Sequence, residues 1–217
     1  MIKVVSFDIG GTLIHRDKTK SLVDEISLVT GIDREIINDK FRGFFVNQSY
    51  GVKDFCEDIG CERPLMIIEL IETWKQKPKA TLFNDVNSTL IKLRERYHLV
   101  SISNMVYWNR IRLADYGLRS LFDLEVYSFN IGVAKPQSEI FRYVEDKLKV
   151  SPGEIVHIGD SITSDVLGAN IAGWSSVLIC RNDVKIVNEH DCYKIPDYTI
   201  KTLDVIPFVI DDINQKS

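Results

Sequence analysis

The sequence has no apolar run long enough to span a bilayer, so no membrane-spanning helix is expected. It has no basic tract either. Its 27 basic and 31 acidic residues are interspersed and sum to a net charge of −4, so nucleic acid is not an expected partner. The four cysteines, Cys56, Cys61, Cys180 and Cys192, stand apart without C-x-x-C spacing. That argues against a zinc site and for buried, reduced thiols. The N-terminus lacks the charged, apolar and small-residue regions of a signal peptide. Together these absences lead us to expect a cytoplasmic protein, as a monomer or homodimer. There is no internal repeat and no low-complexity segment, which argues against a solenoid or a disordered tail.

What is present suits an ordinary core. Apolar residues make up 45% of the 217 positions. That is enough for one sizeable α/β domain, or for a domain of ~150 residues with a smaller insertion. The chain is organised around Lys3-Val4-Val5-Ser6-Phe7-Asp8-Ile9-Gly10-Gly11-Thr12-Leu13. Val4 to Phe7 read as a short buried strand, because the run is β-branched and aromatic and glycines bound it. The strand ends on Asp8. Two glycines follow almost at once, so the backbone can turn tightly and approach a ligand. Ligands of open α/β sheets sit at the carboxyl ends of the strands, where Asp8 falls.

From about Lys18 to Lys77 the spacing is helical: Leu22, Ile26 and Val29, then Ile36, Ile37, Phe41 and Phe44, then Leu65, Ile68, Ile71 and Trp74. Asp33, Ser49 and Arg63-Pro64 read as helix starts. We expect a small all-helical unit over residues 17–79, inserted after the first strand. Phe44, Phe45, Tyr50, Phe55 and Trp74 form its core. The α/β layer then resumes over 80–217, with 1–16 belonging to it. Helices are expected over Val86–Tyr97, Tyr107–Tyr116, Ser138–Leu148, Thr163–Ala172 and Leu203–Ile213. Strands are expected over His98–Ser103, Leu124–Phe129, Ile155–Ile158, Ser176–Cys180 and Tyr198–Ile200. Alternating strands and helices imply parallel pairing, but the strand order is not readable.

Four polar groups fall at or just beyond strand ends: Asp8, Ser103, Lys135 and Asp160. Asp165 follows on the first turn of the next helix. Each has an ordinary reading as a turn, a surface loop or a helix cap. In a parallel sheet, however, all four ends point to one edge. Two carboxylates, a hydroxyl and a lysine there make a site for a metal and an anion. Asp8 and Asp160 can give hard oxygen ligands to Mg²⁺. Asp8 can attack phosphorus and form an aspartyl-phosphate. Ser103 and Lys135 can bind the phosphoryl oxygens, with the amides of Gly10-Gly11-Thr12 as further donors.

These motifs resemble a known family. Phe7-Asp8-Ile9-Gly10-Gly11-Thr12-Leu13, Ser103-Asn104, Lys135-Pro136 and Gly159-Asp160-Ser161-x-x-x-Asp165-Val166-x-Gly168-Ala169 are similar, in order, to the four motifs of the haloacid dehalogenase-like hydrolases. The subgroup resembled carries a helical cap between motifs one and two. The resemblance implies a Rossmann-like parallel sheet with a small all-helical cap. It also implies an Mg²⁺-dependent phosphatase acting on a small phosphorylated metabolite. Asp8, Ser103 and Lys135 would be catalytic. Thr12, Ser103, Asn104 and Lys135 would bind substrate. Asp8, the carbonyl of Gly10, Asp160 and Asp165 would hold the metal, with Asp165 either a ligand or an orienting group for Lys135.

The sequence departs from this family at Gly10, where its phosphatases usually carry a second aspartate that protonates the leaving oxygen and later activates water. Such help is worth about 10²–10⁴-fold in rate. Its loss hurts alkyl phosphates most, because their alkoxide leaving groups need a proton. His15 or Asp17 can take the role. Alternatively the substrate has a good leaving group, or the protein binds a phosphorylated ligand and turns it over slowly. Dehalogenases of the family also lack this aspartate, but they need no Mg²⁺ and usually lack the Gly-Asp pair present here at 159–160. Lys53 in the cap, a conceivable imine former, reads as a surface lysine.

Overall fold

The computed structural model describes residues 1–15, 21–76, 80–108, 113–181 and 192–216. Six strands form one sheet: β1 (Val4–Phe7), β2 (His98–Ser103), β3 (Leu124–Tyr127), β4 (Ile155–Gly159), β5 (Ser175–Ile179) and β6 (Tyr198–Ile200). Their order is β3-β2-β1-β4-β5-β6, and every neighbouring pair is parallel. Every residue of β1 and β4 is buried. Strands covered on both faces need no polar alternation, which is why Val-Val-Ser-Phe reads as one continuous run. The chain leaves β1 for β2 and β3 on one side, then returns to β1's other side for β4. The crevice at the carboxyl ends of β1 and β4 is therefore the topological switch point, where this class of sheet binds ligands.

Two apolar layers sandwich the sheet. Val5, Phe7, Val156 and Ile158 pack with Val86, Leu90 and Leu93 of α6 (Val86–Arg94) and with Ile206, Ile210 and Ile213 of the C-terminal helix (Ile206–Lys216). On the other face Val4, Val100, Ile102 and Ile155 pack with Ile140, Phe141 and Val144 of the helix Ser138–Leu148.

The segment between β1 and α6 is helical in its described residues: α1 (Leu22–Thr30), α2 (Arg34–Phe41), α3 (Gly43–Val46), α4 (Val52–Ile59) and α5 (Pro64–Lys75). Ser21 and Asp24 close a capping box on α1, and Asp33 caps α2 by accepting from the Glu35 amide. Phe44, Phe55, Ile26, Ile37 and Ile67 are fully buried in a separate cluster, to which the sheet domain contributes Val106. A short hinge joins this unit to the sheet. Ile14 bridges Leu82 in antiparallel fashion, the His15 amide donates to Thr81 O at 2.8 Å, and the Phe83 amide donates to Leu13 O at 3.1 Å. The unit limits expected at 16/17 and 79/80 fall partly outside the described residues.

Several boundaries differ from the sequence reading. β3 ends at Tyr127, and Ser128–Ile131 make α7, a single turn closed by Gly132. The Ser128 hydroxyl accepts from the Met105 amide at 3.1 Å, which holds that turn to the end of β2. The start placed at Ser49 moves to Gly51, whose amide donates to Asp54 at 2.8 Å. Of the helix expected over Tyr107–Tyr116, Tyr107 and Trp108 lie in a turn and Leu113–Tyr116 form a 3₁₀ turn, while 109–112 fall outside the described residues. In the helical unit Val29, Ile36, Leu65 and Ile68 are exposed, while Val23 and Ile67 are buried. Leu65 to Ile71 is apolar nearly all round, so its periodicity allows two faces and packing selects Ile67 and Ile71. All four cysteines are free, but only Cys56 and Cys180 are buried, and Cys192 is exposed.

Candidate active site

Asp8 stands directly after β1, and its amide donates to Ile158 O on β4 at 2.9 Å. The chain then reverses. The amides of Leu13 and Ile14 both donate to Ile9 O at 3.0 Å, and the Gly11 amide donates to Ile14 O at 2.8 Å. Gly11 has φ +88°, a left-handed value suited to glycine, and a Cβ there would lie 2.4 Å from Asp160 Oδ2. The missing side chain lets the Asp160 carboxylate from the end of β4 come against this turn.

Lys135 reaches the same point from the loop before α8 (Ser138–Leu148). The loop is clasped to the end of β2: the Asn104 side chain donates to Lys135 O at 2.9 Å and accepts from the Lys135 amide at 2.8 Å. Asn104, expected to touch substrate, thus makes its described bonds to the backbone that aims the lysine. The Lys135 ammonium is buried. It donates to Asp8 Oδ1 at 2.8 Å, Asp165 Oδ1 at 2.6 Å and Ile102 O at 2.7 Å. Three acceptors take its three N–H groups.

Asp165 lies in a wide π-helical turn, Ile162–Val166, that precedes α9 (Leu167–Ala172), in place of the regular helix start expected at Thr163. Such widened turns re-aim a side chain at functional sites. Asp165 folds back over the end of β4. Its Oδ2 accepts from the Ser161 amide at 3.0 Å, and its Oδ1 faces Lys135 and, at 3.2 Å, Nε2 of His157. A Cβ at Gly159 would lie 2.2 Å from the Asp165 carboxyl carbon, so this close approach requires glycine.

The ligand oxygens of Asp8, Asp160 and Asp165 lie within 4.8 Å of one another. The Lys135 ammonium bonds two of these carboxylates, Asp8 and Asp165. Burial pushes the Asp8 carboxyl up to about 7; Lys135 opposes this, and the Asp165 charge adds to it. Burial alone would also raise Asp165, but Lys135 and the hydrogen bond from His157 hold it below the usual carboxylate range. Lys135 is raised despite its burial, by Asp165 and Asp8.

Other expected residues fall as follows. Ser103 is buried at the end of β2, opposite Tyr127. Thr12 is buried, with no partner for its hydroxyl among the described residues. A Cβ at Gly10 would meet nothing within 4 Å. His15 is exposed, its ring tilted 32° against Phe83 with centroids 3.8 Å apart, and Asp17 lies outside the described residues. Lys53 is a surface lysine, its side chain 86% exposed and 3.7 Å from Glu57.

Sequence reasoning missed two parts of this environment. His157 reads only as a strand residue, and its placement beside Asp165 depends on the π turn. Arg181, just past β5, donates to Thr12 O at 2.6 Å and to Asp85 Oδ2 at 2.6 Å, and it lies 4.1 Å over the Phe83 ring. It thereby holds the turn after Asp8 to the hinge. A lone arginine after a strand gives no sequence signal of this.

With this geometry in hand, comparison with known proteins is informative. The profile of the haloacid dehalogenase-like hydrolases matches residues 2–173. The glyceraldehyde 3-phosphate phosphatase of Methanothermobacter thermautotrophicus is 30% identical, over 99% of this chain and 98% of the relative. The protein of that name from Methanopyrus kandleri is 28% identical, over 95% and 97%. A crystal structure of a phosphatase of this class from Thermococcus onnurineus superposes with a TM-score of 0.65 at 27% identity, covering 96% of this chain and 98% of the other. A 2-haloacid dehalogenase from Pseudomonas syringae has a TM-score of 0.69 at 21% identity, over 98% and 99%, and shows the shared fold.

Proposed function

Since this chain belongs to the haloacid dehalogenase-like hydrolase family, we propose that it is an Mg²⁺-dependent phosphatase of small phosphorylated metabolites, working through an aspartyl-phosphate on Asp8. The observation that carries this reading is the cluster of Asp8, Asp160 and Asp165 at the switch point of the sheet, with Lys135 bonded to Asp8 and Asp165. Three carboxylates within 4.8 Å of one another, opposed by one lysine, fit a hard divalent cation. Asp165 has both oxygens hydrogen-bonded within the protein, so Asp8 and Asp160 would be the direct carboxylate ligands, with the Gly10 carbonyl as a further candidate. Bound Mg²⁺ would neutralise charge on the phosphoryl group and on Asp8.

The chain's own residues supply the rest. Asp8 offers an oxygen to phosphorus as the bond from phosphorus to the leaving-group oxygen breaks. Water then cleaves the aspartyl-phosphate to release inorganic phosphate and free Asp8. Lys135 holds that carboxylate in place by its 2.8 Å bond. As the phosphoryl group arrives, the charge of the buried ammonium, whose N–H groups are on Asp8, Asp165 and Ile102 O, and the Ser103 hydroxyl stabilise its oxygens. Asp165 keeps Lys135 charged and aimed, and Asn104 fixes the lysine's backbone. The helical unit closes over the strand ends and selects the substrate. The named relatives make glyceraldehyde 3-phosphate the first compound to try.

Gly10 favours a refinement. The open space at its Cβ and the packing of His15 against Phe83 leave no described side chain in the place of an acid. Phosphates with good leaving groups, acyl or aryl, should therefore turn over faster than alkyl phosphates. A panel containing p-nitrophenyl phosphate, acetyl phosphate and glyceraldehyde 3-phosphate, assayed with Mg²⁺ or with EDTA, tests this. The expected result is turnover that needs Mg²⁺ and is lost in Asp8→Asn. Turnover that survives both would defeat the phosphatase reading. Inactivity toward the whole panel, with tight binding of one phosphorylated compound, would mark a binding protein on this scaffold. Halide release from 2-haloacids without metal would mark a dehalogenase.

A further inference from the structure

Ser6 and His157 have no role in the mechanism above, yet they complete a hydrogen-bonded chain into the site. They sit side by side in register on β1 and β4, and both are buried. Ser6 Oγ lies 2.9 Å from His157 Nδ1, and His157 Nε2 lies 3.2 Å from Asp165 Oδ1. The same Asp165 oxygen accepts from Lys135 at 2.6 Å, and Lys135 donates to Asp8 at 2.8 Å. An ionised carboxylate only accepts, so His157 carries its proton on Nε2. Its bare Nδ1 then accepts from the Ser6 hydroxyl. Packing fixes the ring as well. Phe141 meets it edge-on at 5.7 Å and Trp174 at 6.4 Å.

From this geometry we infer that His157 is a positioning residue for the reaction proposed above, set in its Nε2–H tautomer by Ser6 and acting through Asp165 on Lys135 and Asp8. It touches neither the phosphoryl group nor Asp8. It gives Asp165 Oδ1 a second, directional donor without placing another positive charge beside the lysine. Without it, Oδ1 would be held by Lys135 alone, and the carboxylate would pivot more easily about its remaining anchor, the Ser161 amide on Oδ2. Lys135 would then lose the fixed line between two aspartates that aims it. Outer partners of this kind commonly change activity by about 10–100-fold when removed.

The test uses the full chain with p-nitrophenyl phosphate and Mg²⁺, in wild type, His157→Leu, His157→Gln and Ser6→Ala. His157→Leu should lower kcat by about 10–100-fold with little change in KM. His157→Gln, whose amide can donate from near the Nε2 position, should recover most of that loss. Ser6→Ala should fall between wild type and His157→Leu. Nitrogen-15 spectra of the wild-type imidazole should show the Nε2–H tautomer, a readout independent of turnover. A folded His157→Leu with wild-type kcat would overturn the inference. So would His157→Gln as impaired as His157→Leu, since the loss would then be one of packing, or an Nδ1–H tautomer. If His157→Leu does not fold, a wild-type kcat in Ser6→Ala overturns it. The inference rests on the phosphatase reading, and Asp8→Asn separates the two. Turnover that persists in Asp8→Asn defeats that reading, whereas Asp8-dependent turnover indifferent to His157 and Ser6 defeats only the relay.

Discussion

Gly10 and Gly159 both flank the carboxylates of the site, one after β1 and one at the end of β4, but the space beside them differs. A side chain at Gly159 would collide with Asp165, its Cβ only 2.2 Å from the carboxyl carbon. At Gly10 a Cβ would meet nothing within 4 Å. The β4 side is closed: Asp165 is held by Lys135, His157 and the Ser161 amide. The β1 side is open beside Gly10, two residues after Asp8. Glycine at 159 is therefore a packing requirement, while glycine at 10 is a choice the fold does not impose. Side chains are missing at both positions for unrelated reasons, and only one absence bears on which substrates the site can handle.

Filling the open position should have the largest effect. Gly10→Asp adds a carboxyl where no described atom obstructs its Cβ, and the Gly10 φ lies outside the left-handed region. If the site lacks an acid, turnover of alkyl phosphates such as glyceraldehyde 3-phosphate should rise by about 10²-fold. Aryl phosphates, whose leaving groups need no proton, should gain much less. Steady-state kcat/KM for both classes decides it. No gain in a folded variant that still responds to Mg²⁺ would mean that another group already serves as the acid.

Filling the closed position should do the opposite. Gly159→Ala forces a methyl into Asp165, and overpacking of this kind costs about 1–3 kcal/mol. Displacing Asp165 also releases Lys135, so kcat should fall by about 10–100-fold for every phosphate, whatever its leaving group. Thermal unfolding and the same substrate pair measure both. An alanine variant with wild-type stability and rate would break the contrast between the two glycines.

How far the sequence foretold this arrangement depended on whether a signal was local. The strand ending at Asp8 was legible because buried parallel strands read as apolar runs. That Asp8 and Lys135 share one edge followed from topology, since all parallel strands present their carboxyl ends there, but their direct 2.8 Å bond did not. The strand order was not legible. It arises from which crossovers pack where, and no single segment encodes that. The π turn at Ile162–Val166 was hidden because its cause is the fold-back of Asp165 toward Ser161 and Lys135. His157 was missed because its contact with Asp165 depends on that turn, and Arg181 because Thr12 and Asp85 lie far from it in sequence. Leu65 and Ile68 misled because α5 is apolar on more than one face, and only the packed neighbours choose between faces.

The two sides should also respond oppositely to pH, a smaller effect that isolates their electrostatics. Burial pushes Asp8 up to about 7 from an ordinary value of 3.8, whereas Lys135 and His157 hold Asp165 below its ordinary range. A carboxyl with a raised folded pKa keeps its proton after the unfolded chain has lost it. Its contribution to stability is thus full below the unfolded pKa and is lost as pH climbs to the folded one. For Asp8 that window runs from about 4 to about 7. Asp165 works the other way: its contribution is present above about pH 4 and disappears as acid protonates it. Thermal unfolding of wild type and Asp8→Asn in EDTA should therefore diverge across the upper window, with wild type losing stability relative to the variant as pH rises. Mg²⁺ should shrink that difference, because a bound cation removes the cost of ionising Asp8. A gap between the two proteins that stays constant with pH would show that Asp8 titrates as an ordinary carboxylate, and the open side of the site would then be well solvated and no longer distinct from the surface.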